Sequence, residues 1–126
     1  MLKKIETDLA PKPSGPYSQA IRAGDYIFVA GQGPIDADGK VIRGTIAEQT
    51  AVTLDNIQKI LVAAGASMEN VVKVSVHLSE LNPENFSAYN KVYVDYFKEP
   101  LPVRITVGSQ LLGIDVEIEV IAYVGK

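Results

Sequence analysis

Arg104 stands where a proline-bracketed approach, Glu99-Pro100-Leu101-Pro102-Val103, opens into the β-type run Arg104-Ile105-Thr106-Val107. In the next run, Asp115 to Ala122, Glu117 and Glu119 alternate with Val116, Ile118 and Val120, so the two carboxylates share one strand face. A guanidinium facing carboxylates across neighbouring strands offers a planar fork for an anionic substrate and a group that manages a proton or a water. Other reactive groups are few. His77 is the single histidine, which excludes a histidine metal cluster and weakens any serine triad. Cysteine is absent, which removes disulfides, thiolate nucleophiles and thiolate metal sites. Gly31-Gln32-Gly33 lacks the later glycines and the lysine of a phosphate loop or dinucleotide fingerprint.

Each of these residues also has an ordinary reading. An arginine on a strand is commonly a solvated charge or half of a structural ion pair, and alternation alone makes one of Glu117 and Glu119 a plain surface or interface charge. Tyr17 can anchor a loop, and Gly31 can serve a turn.

The elements that position these residues follow from patterning. Leu2 to Thr7 reads as a short edge strand, and the loop from Ala10 to Pro16 is too proline-rich for a regular element. Ser18 to Ala23 and Tyr26 to Ala30 flank Gly24-Asp25 as a hairpin, with Ile27 and Val29 on one face, Tyr26 and Phe28 on the other, and both faces covered. Thr45-Ile46-Ala47-Glu48 has capping-box spacing and starts a helix carrying Ala47, Ala51, Leu54, Ile57 or Gln58, Leu61 and Ala64 at helical intervals, ended by Gly65. Val71 to Leu78 alternates Val72, Val74, Val76 and Leu78 against Lys73, Ser75 and His77, as a half-buried strand does. Asn82-Pro83 caps a second helix whose apolar stripe is Phe86, Tyr89, Tyr93 and Tyr96 or Phe97, more suited to a core than to stacking bases. Strands from Val103 to Ser109 and from Asp115 to Val124 close the chain.

This order predicts one α+β domain over residues 1–126, a single mostly antiparallel sheet with two helices on one face. The other face is then expected to carry Lys73, Ser75, His77, Arg104, Thr106, Glu117 and Glu119, suited to water or to a hydrated oligomer interior. A content of 47% hydrophobic residues and a mean hydropathy of +0.11 are slightly high for a small monomer and point to a subunit interface. The net charge of -3 offers no positive field for phosphates or an anionic membrane, so nucleic acid is a poor partner. With no signal-like amino terminus, no run of membrane-spanning length and no cysteine, a cytoplasmic location is expected.

Nearly the whole chain resembles the reactive-intermediate deaminase family (RidA/YjgF), also called endoribonuclease L-PSP or translation inhibitor. The likeness runs through Ala10-Pro11, Gly15-Pro16-Tyr17-Ser18-Gln19-Ala20, Ala30-Gly31-Gln32-Gly33-Pro34-Ile35-Asp36 and Gln49 to Gly65. It continues through Phe86, Asn90, Tyr93 and Phe97 to Pro102-Val103-Arg104 and Glu117-Ile118-Glu119-Val120-Ile121-Ala122. The order and spacing of these blocks together make it specific. The resemblance implies a chorismate-mutase-like fold assembling as a homotrimeric barrel with clefts between subunits, and an enzyme that hydrolyses 2-iminobutanoate and 2-iminopropanoate to 2-keto acids and ammonia. No metal or organic cofactor is implied. Matched position by position, it implies Arg104, Glu117 and Tyr17 as catalytic residues and Arg104, Gly31, Asn90 and Tyr17 as substrate-binding. The terminal pattern selects Glu117 and gapless counting selects Glu119, which stays as the alternative acid. Thr106 stands where many relatives carry cysteine.

Two other functions remain in play. One is an endoribonuclease that suppresses translation, disfavoured by the lone His77 and the acidic balance. The other is a non-enzymatic module that uses the same arginine to sense a keto acid.

Overall fold

The computed structural model describes residues 1–125. Strands β1 (Leu2–Ile5), β2 (Ala20–Ala23) and β3 (Tyr26–Gln32) precede helix α1 (Ile46–Ala63); strand β4 (Val71–Leu78), helix α2 (Pro83–Tyr93) and strands β5 (Val103–Gly108) and β6 (Val116–Tyr123) follow. The strands form one six-stranded sheet in the order β1-β2-β3-β6-β4-β5. All pairings are antiparallel except β4 with β5, which is parallel. The expected α+β architecture, two helices against one face of a mostly antiparallel sheet, is the one observed.

Local chemistry accounts for the helix starts. Thr45 Oγ1 accepts from Glu48 N at 3.1 Å while Glu48 Oε1 accepts from Thr45 N at 2.9 Å, a closed capping box. Asn82 Oδ1 accepts from Asn85 N at 2.8 Å, with Pro83 opening α2 where no donor is needed. Between the helices and the sheet, Leu54, Ile57, Ile60 and Leu61 of α1 bury against Ile27, Val29, Val74, Val76, Leu78, Val116, Ile118 and Val120. Removal of this apolar area from water is the main term holding the layers together. Gln49 and Asn56, outside the expected stripe, are buried on α1 with their side-chain amides hydrogen-bonded. Asn56 Nδ2 donates to the carbonyls of Gly33 and Ile35 and thereby ties the end of β3 to the helix.

Three local expectations change. Residues 18 and 19 precede β2 rather than belong to it, because the buried Gln19 side chain accepts from Thr7 N and donates to the carbonyls of Thr7 and Pro11, pinning the proline loop. Val72, expected in the core, is exposed, because the β4–β6 register shifts between Val71 and Lys73 and turns Val71 inward instead. Tyr26 and Phe28 are not covered within the chain: they are 45% and 46% exposed on the sheet face away from the helices, alongside Tyr123.

The largest change concerns β5. Arg104 pairs with Val74 and Thr106 with Val76, and because partners across a ladder share a face, both side chains leave on the helix side. Glu117 pairs with His77, and Glu119 with Ser75, on the opposite face. The expected polar set therefore divides: Lys73, Ser75, His77, Glu117 and Glu119 lie on the open face, while Arg104 and Thr106 do not. In their place the open face carries Val103 and Ile105, 68% and 56% exposed. Strand β5 is also separated from β6 by β4, so the arginine does not face the carboxylates across adjacent strands.

Candidate functional site

The guanidinium of Arg104 is built into the rim between β5 and α2. Its Nη1 donates to Asn90 Oδ1 at 2.8 Å. Its carbon lies 4.7 Å from the ring centroid of Tyr93, 5.0 Å from that of Tyr89 and 5.7 Å from that of Phe86, within range of attraction to all three ring faces. These rings, spaced along α2, were expected to serve only as core. Phe86 is 39% exposed and instead floors the arginine. Burial raises the Tyr89 phenol above its ordinary value, with the Thr106 hydrogen bond and the nearby guanidinium pulling the other way. Burial pushes Tyr93 up to about 12, again against the pull of Arg104. Both phenols are therefore neutral around neutrality. Among the described residues the only ion pair is Lys4 with Glu6, so the Arg104 charge has no acidic partner among them. A cation held by one amide and three rings, and left uncompensated, is prepared for an anion from outside.

A second group of residues gathers on β3 and the proline loop. Tyr17 and Gly31 line one cleft of about 120 Å³ with Pro11, Ser14, Gln19 and Gln32. The Tyr17 hydroxyl accepts from Ser14 N at 3.2 Å, which holds the half-exposed ring over the loop. Gly31 lies where the β3–β6 register shifts between Val29 and Gln32. A Cβ at this position would come within 2.8 Å of Glu117 Oε2, so the Glu117 carboxylate rests directly on the glycine backbone. Only a residue without a side chain permits that approach. Glu119 lies apart, in a cleft of about 180 Å³ with Phe28, Lys73 and Ser75.

The residues predicted from sequence therefore fall into two separate groups. Arg104 and Asn90 make one; Tyr17, Gly31 and Glu117 make the other. Within one chain Arg104 and Glu117 leave opposite sheet faces from strands two spacings apart, about 10 Å, and the Gly31 strand lies one spacing further. The guanidinium therefore does not face this carboxylate within one chain. The residues sequence reasoning missed are Thr106 and Tyr89 as members of the arginine's surroundings; their hydroxyls share a hydrogen bond. The polar Thr106 at a position alternating with Arg104 was the available signal.

Residues 7–124 match the family model for endoribonuclease L-PSP. The chain belongs to this family, the RidA/YjgF family. It is 49% identical over 126 residues to a RutC family protein of Pyrococcus horikoshii, covering 98% of both chains. It is 38% identical to the mitochondrial protein MMF1 of Saccharomyces cerevisiae, covering 96% of this chain and 83% of that protein. Among solved structures, RidA from an Antarctic Psychrobacter superposes with a TM-score of 0.90 at 36% identity, covering 96% of this chain and 98% of that one. Escherichia coli TdcF with bound serine superposes with a TM-score of 0.87 at 33% identity over the same shares. No helix among the described residues is long and apolar enough to cross a membrane, and no cluster of three or more histidine, aspartate or glutamate side chains is placed there to hold a metal.

Proposed function

We propose that the chain is a RidA-type enamine and imine deaminase, hydrolysing 2-iminobutanoate and 2-iminopropanoate to 2-keto acids and ammonia in clefts between the subunits of a homotrimer. The observation that carries this reading is the uncompensated Arg104 guanidinium, held by Asn90 and the α2 rings at the exposed edge of the sheet. Arg104 takes the substrate carboxylate in a bidentate pair, with Asn90 fixing the plane of the fork. The partner subunit supplies the other half: the Gly31 backbone and the Tyr17 ring enclose the small apolar tail, and Glu117 addresses the water. The exposed apolar residues of the open face, among them Phe28 and Ile105, support assembly of copies through that face.

The chemistry asks little of the protein. The imine carbon is already electrophilic, so Glu117 need only accept a proton from water as its oxygen bonds to carbon 2. The same carboxyl delivers that proton to nitrogen, then takes the proton of the new hydroxyl and passes it to nitrogen as the carbon–nitrogen bond breaks, so both protons of the water leave with ammonia. Imino acid and water become keto acid and ammonia, with no redox change and no cofactor. The geometry favours Glu117 over Glu119 as the acid, because Glu117 alone contacts Gly31.

The test generates 2-iminobutanoate from threonine with a dehydratase and follows its disappearance. The wild-type chain hydrolyses it faster than buffer, and Arg104→Ala loses both turnover and binding of 2-ketobutyrate. An Arg104→Ala variant with wild-type turnover overturns the scheme. A second reading has its own support, since E. coli TdcF was solved with serine bound: the cleft serves as a metabolite-binding module. Binding of 2-ketobutyrate without any acceleration of imine loss would select that reading. Purified wild-type chain that cleaves RNA, and loses this with Arg104→Ala, would select the endoribonuclease.

A further inference from the structure

Helix α2 is fastened to the outer strand β5 by two successive side chains. Asn90 accepts from Arg104, and the fully buried Tyr89 shares a hydrogen bond between its hydroxyl and Thr106 Oγ1. Arg104 and Thr106 are alternate residues of one strand, so both leave the same face toward the same turn of helix. Strand β5 has a ladder on its β4 side only, which leaves these side-chain bonds to define how its outer edge meets α2.

One turn beyond Tyr89 along α2, Tyr93 buries its hydroxyl with no hydrogen-bond partner. At Tyr89 a strand hydroxyl is in place to share the bond. The Tyr89 ring is one wall of the arginine's cradle, 5.0 Å from the guanidinium carbon. Fixing the phenol fixes that wall, and the pair holds β5 against α2 two residues from the arginine.

We propose that Tyr89 and Thr106 are a positioning pair for Arg104: their bond sets the orientation of the guanidinium and with it the affinity for the carboxylate of a small 2-imino or 2-keto acid. The inference rests on the function proposed above and assigns the pair no contact with substrate. Its effect belongs to binding, since Arg104 holds the same carboxylate before and during water attack.

Tyr89→Phe keeps the ring and removes the hydroxyl; Thr106→Val keeps the β-branch and removes it from the other side. Each is expected to raise KM for 2-iminobutanoate and Kd for 2-ketobutyrate by about 3- to 10-fold, the range of one net hydrogen bond. The value of kcat stays within about twofold, as loss of uniform binding requires. The double variant binds no more weakly than the weaker single variant, because both delete the same bond. Thr106→Ser restores wild-type affinity. Should Tyr89→Phe fail to fold, Thr106→Val and Thr106→Ser read the same bond from the strand. Unchanged Kd in both single variants, a loss confined to kcat, or additive losses in the double variant overturns the pair. A wild-type chain that binds no 2-ketobutyrate overturns the proposed function itself, whereas binding lost in Arg104→Ala but untouched in Tyr89→Phe and Thr106→Val removes only the pair.

Discussion

Glu117 and Glu119 have the same chemistry, the same strand and the same face, and the structure separates them by their neighbours. Glu117 lies against the bare backbone of Gly31, beside the cleft that Tyr17 closes; Glu119 stands next to Lys73 and Ser75. On the proposed function this difference has a kinetic consequence. Glu117→Gln is expected to lower kcat by about 10²- to 10⁴-fold, the usual share of general acid–base work, while leaving 2-ketobutyrate binding in place. Glu119→Gln should stay within about threefold of wild type in the same assay, and the reverse ranking would move the acid to Glu119. Sequence left this choice open because both residues have the same parity on the strand, and parity says nothing about which neighbour approaches. The approach depends on a shifted register in β3, a feature that leaves no pattern in the residues themselves.

Helix α2 illustrates what periodicity reveals and what it conceals. Its start at Asn82-Pro83 and its aromatic stripe were legible, because the cap chemistry and the helical repeat are local. That the stripe shelters an arginine was not, because the partner is on β5 and its direction depends on register. The run Val103-Arg104-Ile105-Thr106-Val107 alternates cleanly, and alternation alone assigns the apolar residues to the core. Here the assignment reverses: Arg104 and Thr106 go to the helix side and Val103 and Ile105 to the open face. The same packing makes α2 sensitive to alkali. Burial raises the Tyr93 phenol to about 12, so the folded chain holds this proton more tightly than the unfolded chain does. A raised value contributes stability that is complete below the unfolded tyrosine value near 10 and is lost as pH rises toward the folded one. Thermal unfolding midpoints should therefore fall between roughly pH 10 and 12, and Tyr93→Phe should flatten that fall. An unchanged slope in Tyr93→Phe would assign the alkaline loss to other groups.

For the whole molecule, the sequence indicated one α+β domain and a composition slightly apolar for a small monomer, and the order of its elements was readable from caps, turns and alternation. The division of the site was not, since it follows from β4 lying between β5 and β6 and from a parallel pairing that chain order does not announce. This division makes a sharp prediction for the proposed intersubunit site. Arg104→Ala lacks one half and Glu117→Gln the other, so subunits mixed by unfolding and refolding together should regain activity, with roughly a quarter of the clefts intact at equal proportions in a symmetric ring. Activity that never rises above that of the separate variants would place the whole site within one chain. On the proposed function, catalysis then belongs to an encounter between chains and to no single polypeptide. Diluted below the concentration at which copies stay joined, each molecule keeps its fold and every reactive group, yet the rate per chain falls toward zero and returns on concentration without any refolding.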